Sequence, residues 1–150
     1  MNSWPHFSNE EIQKSSDILR SGKINYWTGN EGKDFEKEFS SYVGVNHSVV
    51  VDNGTSALIL AAHSLGISKG DEVIMSPRTF VASAFSIMVL GARPVFVDID
   101  RDTQNIDPSL IEAAITPKTK AIMAIHLAGW PCEMNKIKSF LIIKLSTQSG

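Results

Sequence analysis

The stretch SVVVDNGTSALILAAHSLG, residues 48–66, passes from a β-branched run through a tight polar turn straight into an apolar helix. Val49, Val50 and Val51 have the composition of a buried parallel strand, and Ala57, Leu58, Leu60, Ala61, Ala62 and Leu65 that of a helix packed on a sheet. Between them stand Asn53, Gly54, Thr55 and Ser56. A glycine at 54 lets the backbone turn sharply and lets a ligand come close, while the first amides of the helix point outward, unpaired, at the positive end of its dipole. The turn is therefore a candidate anion site. A plainer reading is that Asn53 and Thr55 only cap the helix, as such junctions require whether or not they bind anything. Neither the dinucleotide glycine fingerprint nor the loop ending in Gly-Lys-Ser/Thr is present, which disfavours a generic nucleotide-binding module.

Downstream the rhythm is regular. Strands are expected at 48–52, 72–76, 94–99 and 120–126, and helices at 55–65, 79–90, 108–115 and 133–140. Strands alternating with helices imply parallel pairing through right-handed crossovers, hence a layered α/β fold. Ligands of such sheets collect at the carboxyl ends of the strands. Those ends hold Asn53 to Ser56, Pro77 to Phe80, Asp98 to Asp100 and His126 to Trp130. Upstream, Ser8 and Glu11 form a capping box for a first helix that ends near Gly22. The segment NYWTGNEG, aromatic and glycine-rich, reads as a binding loop or partner contact, and Phe35, Phe39 and Tyr42 repeat at helical spacing as a core stripe before Gly44.

Composition narrows the function classes. With 150 residues and 43% hydrophobic content the chain can bury a core, and its net charge of −2, with acids and bases interspersed, offers no stripe for nucleic acid. The single cysteine, Cys132, excludes an internal disulfide and suits a reducing compartment. The N-terminus has no basic region leading into an apolar run, and no apolar segment reaches spanning length. The expectation is a soluble cytoplasmic protein without nucleic-acid or membrane partners. The last residues, FLIIKLSTQSG, contain an apolar run resembling a new strand. An unpaired apolar strand at that place would leave an aggregation-prone edge, so the chain is expected to be a fragment or to need more protein.

The stretches NYWTG, NGTSAL, LGISKGDEVIMSPRTFVASA, LGARPVFVDIDRDTQNI and AAITPKTKAIMAIHLAGWPCEM together resemble the N-terminal part of the DegT/StrS family of pyridoxal-phosphate-dependent sugar aminotransferases. The resemblance implies the three-layer, mostly parallel large domain of fold type I over residues 1–140, with residues 141–150 a divergent tail from truncation or a frameshift. It implies that Gly54, Thr55 and Ser56 hold the phosphate of pyridoxal 5′-phosphate and that Phe80 stacks on its ring, although a phenylalanine is more commonly core. Thr28 and Gly29 match a loop near the sugar-nucleotide site across a dimer interface, or form an ordinary glycine turn. His126 stands beside the pocket as a substrate-binding candidate or a structural histidine. Asp98 and Asp100 fall in a surface turn of the family, so no metal is expected.

Pyridoxal chemistry also needs a Schiff-base lysine and an aspartate that keeps the ring nitrogen protonated. No segment here matches the family's aspartate. Ser139, Phe140, Lys144, Thr147 and Gly150 have the spacing of the lysine motif and make Lys144 a Schiff-base candidate, but MNKIKSF fits equally the family helix that precedes the aspartate segment. The resemblance implies an enzyme that converts a keto sugar nucleotide to an amino sugar nucleotide, with glutamate as donor, for surface polysaccharide, lipopolysaccharide or antibiotic sugars. The chain by itself is expected to be inactive. Two alternatives stand beside it: a sugar 3-dehydratase relative, and a non-catalytic remnant.

Overall fold

The structure, a computed structural model, describes residues 4–147, with no side-chain description after residue 140. The chain divides into two compact units, Met1–Val51 and Asp52–Gly150.

The first unit holds two helices, α1 (Asn9–Ser21) and α2 (Glu31–Val43). The capping box forms as its spacing predicts: the Glu11 amide donates to Ser8 Oγ at 3.2 Å and the Ser8 amide to Glu11 Oε2 at 2.6 Å. Gly22 ends α1 in the left-handed region at φ 69°. Two expectations fail in this unit. Residues 48–52 form no ladder. A strand needs a neighbour for its backbone groups, and here the Val50 amide donates instead to Glu36 Oε1 at 2.9 Å while Ser48 Oγ donates to the Glu36 carbonyl. The aromatic stripe is likewise not core. Phe35 and Phe39 touch, with ring centroids 5.7 Å apart, yet both stay about half exposed and Tyr42 lies open. A pair of 13-residue helices has too little apolar surface of its own to enclose them.

The second unit is the layered part. Its elements run α3 (Gly54–Ser64), β1 (Glu72–Met75), α4 (Ala82–Met88), β2 (Arg93–Phe96), α5 (Pro108–Ala114), β3 (Thr119–Met123), a short 3-10 turn (Leu127–Gly129) and α6 (Met134–Thr147). The strands form a parallel sheet in the order β2-β1-β3. β1 is buried along its whole length, and its side chains alternate between two cores. Val73 and Met75 pack with Ala62 of α3, Ile67, Ile87 of α4 and Ala92; Ile74 packs on the opposite face with Val97, Ile106, Ile111 of α5, Cys132 and Ile137 of α6. Helix, sheet and helix thus make the three layers expected. Full burial of a side chain such as Ile74 is worth about 1.5–3 kcal/mol.

The sheet's lower corner is polar. Glu72, buried at the start of β1, accepts Arg93 Nη2 at 2.6 Å and Thr116 Oγ1 at 2.7 Å, so its charge is neutralised and its oxygens are satisfied. Pro94 sits on β2, which pairs on one side only among the described strands and so needs no amide from it. The apolar run after Phe140, read from sequence as a new strand, continues α6 to Thr147. Five apolar residues within Phe140–Leu145 suit a helix as well as a strand. Among the described residues no helix is long and apolar enough to cross a membrane.

Candidate functional site

Parallel strands bring their carboxyl ends to one edge. The segments that leave β1, β2 and β3 there carry Ser76 to Val81, Val97 to Asp107 and Ala124 to Glu133. α3 leads into β1 through residues 65–71 and shares a core with it, so its C-terminus lies at the amino edge and its N-terminus at the carboxyl edge. Gly54, Thr55, Ser56, Phe80 and His126 therefore gather at one end of this unit. Thr28 and Gly29 belong to the first unit.

Asn53, extended at φ −162° and ψ 170°, caps α3. Its Oδ1 accepts the Ser56 amide at 3.0 Å, and its carbonyl accepts the Ala57 amide at 3.1 Å. Asn53 thus caps the helix and takes the Ser56 amide, while Thr55 makes no capping hydrogen bond among the described residues. The Gly54 and Thr55 amides find no acceptor among the described residues. Gly54 is not in the left-handed region, contrary to the expectation of a sharp glycine turn, and a Cβ built on it would meet nothing within 4 Å. The protein itself makes no demand for glycine there. What a side chain would occupy is open space before two free amides and a helix dipole. Asp52 stands beside them: the Ser56 hydroxyl, first among its partners, holds this exposed carboxyl below the usual range, and Asn53 Nδ2 donates to it at 2.9 Å.

Phe80 is 76% exposed, which removes the core reading and leaves a ring face free for a planar ligand. Its loop is ordered from within: Ser76 Oγ accepts the Arg78 amide at 3.0 Å, and the hydroxyls of Thr79 and Ser83 lie 2.9 Å apart. His126 is exposed too, and its Nδ1 accepts the Cys132 amide at 3.1 Å. The Cys132 thiol donates to the Ile125 carbonyl at 3.1 Å, and burial pushes its pKa up, so it is no ready nucleophile.

Thr28 and Gly29 are explained within their own loop. Asn25 Oδ1 accepts the amides of Trp27 and Thr28 at 3.0 Å and the Thr28 hydroxyl at 3.1 Å. A Cβ on Gly29 would stand 2.3 Å from the Lys23 carbonyl oxygen, so only glycine fits. Thr28, Gly29, Lys14 and Lys23 share the lining of a cavity of about 310 Å³. Asp100 serves its turn: Oδ1 accepts the Thr103 amide at 2.8 Å and its hydroxyl at 2.9 Å, which hold the carboxyl below its usual range. Lys144 falls in the last turns of α6, its side chain outside the described ones, and Gly150 lies outside the described residues.

Two residues that sequence reading passed over build these loops. Asn25 closes the Thr28 turn, and Asn105, buried, binds the turn after His126 through Leu127 and Trp130. An asparagine in TQNID looks like any turn residue; partners 22 and 25 positions away leave no periodic signal.

A sequence profile of the DegT/DnrJ/EryC1/StrS aminotransferase family matches residues 5–141. The chain is 47% identical over 135 residues to the spore coat polysaccharide biosynthesis protein SpsC of Bacillus subtilis (strain 168), covering 90% of this chain and 34% of that one. It is 48% identical over 114 residues to the GDP-perosamine synthase of Caulobacter vibrioides, covering 74% and 31%. The solved PLP form of Spr1654 from Streptococcus pneumoniae superposes with a TM-score of 0.85 at 39% identity, covering 90% of this chain and 34% of that one. The chain spans about a third of the length of these relatives. With the profile running through both units and a solved relative superposing over 90% of the chain, the chain belongs to the DegT/DnrJ/EryC1/StrS aminotransferase family.

Proposed function

We propose that residues 1–140 are the N-terminal part of the large domain of a pyridoxal-phosphate-dependent nucleotide-sugar aminotransferase, and that residues 141–150 depart from it. The observation that carries this reading is the start of α3, where the Gly54 and Thr55 amides are free and a glycine stands that the protein's own packing does not require. That arrangement fits a phosphate. Two amides and the Thr55 hydroxyl supply donors, the dipole supplies positive potential, and the missing Cβ lets the oxygens approach. Phe80, exposed at the same edge of the sheet, offers the flat face against which a pyridine ring stacks.

When bound, pyridoxal phosphate supplies the electron sink that makes the α-proton of an amino donor removable. These residues bind and orient. The amides of Gly54 and Thr55 fix the phosphate end and Phe80 fixes the tilt of the ring, while the Asn53 cap stabilises the helix behind them. His126 in the second unit is a substrate-contact candidate, and Thr28 and Gly29 are separate candidates in the first unit. The parent activity is the amination of a keto sugar nucleotide with glutamate as donor, in a cytoplasmic homodimer serving polysaccharide or other surface-sugar biosynthesis. That activity is a property of a chain three times this length, and the GDP-perosamine synthase relative supports the nucleotide-sugar class of substrate.

Amide-resolved NMR of the 150-residue chain tests the reading. Inorganic phosphate should shift the Gly54 and Thr55 amides, and pyridoxal phosphate should shift the same amides and add ring-current shifts at Phe80. Gly54 and Thr55 amides that ignore both ligands would overturn it.

A further inference from the structure

We propose that Asn105 is a positioning residue for His126, holding its neutral ring as the Nε2–H tautomer so that Nε2 is the one donor the ring offers an acceptor oxygen. Asn105 is 3% exposed, and both ends of its carboxamide are spent on one short turn. Oδ1 accepts the Leu127 amide at 3.0 Å, and Nδ2 donates to the Trp130 carbonyl at 2.9 Å. The asparagine is itself fixed, because its carbonyl accepts the Asp100 amide at 2.9 Å.

The clamped turn would not choose its own shape. Ala128 sits at φ 50° and ψ 28°, the left-handed region that an alanine avoids, and Gly129 follows at φ 83°. Such a conformation persists where surrounding contacts over-determine it. Asn105 supplies those contacts at the residues on either side, Leu127 and Trp130. Aspartate in its place would keep the acceptor and lose the donor; alanine would lose both.

Holding the turn places Cys132 against His126. The Cys132 amide donates to Nδ1 at 3.1 Å, and the Cys132 side chain is anchored in the core with its thiol on the Ile125 carbonyl. An Nδ1 that accepts an amide proton cannot carry one, so the neutral ring keeps its proton on Nε2. The chemical class of ligand follows: a carbonyl, hydroxyl or anionic oxygen, which accepts from Nε2. The inference does not rest on the cofactor reading, which stands on the start of α3.

The test uses the whole chain labelled with 15N-histidine, in long-range proton–nitrogen spectra at alkaline pH, with His126→Gln to assign the ring. The expected wild-type result is an unprotonated Nδ1 and a protonated Nε2 for His126. Asn105→Ala should lose that single-tautomer signature and give a mixture, while an asparagine that only stabilises the fold would leave the ring pattern unchanged. Asn105→Asp sets a buried carboxylate oxygen against the Trp130 carbonyl in place of the donor, and should lose the signature as Asn105→Ala does. A wild-type ring protonated at Nδ1 overturns the proposal without any variant, and so does a folded Asn105 variant with the wild-type pattern. In neither case is the phosphate reading touched, since its readout is the Gly54 and Thr55 amides.

Discussion

The carboxamide oxygen of Asn53 accepts the Ser56 amide at 3.0 Å, and in doing so divides the start of α3 between cap and ligand. One amide stabilises the helix; two remain to bind. Asn53→Ala should therefore lower stability by about 1 kcal/mol, the usual worth of such a cap, while the chain still binds phosphate. Denaturant midpoints and a phosphate titration of the two proteins check both halves. Loss of phosphate binding with stability intact would assign Asn53 to the ligand instead.

Gly54 and Gly29 make a contrasting pair. A Cβ at 54 meets nothing within 4 Å, whereas one at 29 stands 2.3 Å from a backbone oxygen. Gly54→Ala should leave stability unchanged or raise it by up to about 1 kcal/mol through the unfolded chain, yet weaken phosphate binding. Gly29→Ala should cost about 1–3 kcal/mol in the first unit, as overpacking against unyielding backbone does. Thermal unfolding and phosphate titration of both variants separate the two roles.

How much the sequence disclosed depended on the range over which each feature is determined. Ser8 and Glu11 were legible because the capping box closes within one turn, and β1 was legible because an all-apolar Val73, Ile74 and Met75 between the breakers Gly70 and Pro77 has few other homes. Val49 to Val51 have the same composition but no ladder partner among the described residues, since pairing depends on a neighbour that composition does not reveal. Gly54 and Gly29 look alike in sequence. Only the Lys23 carbonyl 2.3 Å away tells the required glycine from the free one. Phe80 could have been core or platform until its exposure was known, and Asn105 was invisible because its partners are remote.

Cys132 should react slowly with thiol reagents in the native chain and rapidly once unfolded. Its side chain is buried, its proton is committed to the Ile125 carbonyl, and burial pushes its pKa up, so little thiolate exists at neutral pH. Stopped labelling with an aromatic disulfide, with and without denaturant, measures the ratio. Native-state labelling as fast as that of the unfolded chain would show that the Ile125–Cys132 segment opens freely.

The last expectation concerns acid. Arg93 Nη2 at 2.6 Å, then Thr116 Oγ1, hold the Glu72 carboxyl below its usual range. A folded-state pKa lower than the unfolded one means that the unfolded chain binds the proton more readily, so stability falls as protons are added. The contribution is complete above the ordinary glutamate pKa of about 4.3 and disappears as pH drops through the lower, folded value. Glu72→Gln removes the titrating group, and Arg93, largely exposed, returns to water. The variant should be less stable than the parent at pH 7, and the gap should narrow as pH falls below about 4.3 and close as pH passes the lower, folded value, where the parent has lost the same charge. Denaturant midpoints of both proteins from pH 7 to pH 3 decide it. A gap that stays constant across that range would mean that Glu72 acts at the foot of β1 through hydrogen bonding and shape, and that its charge contributes nothing to the fold.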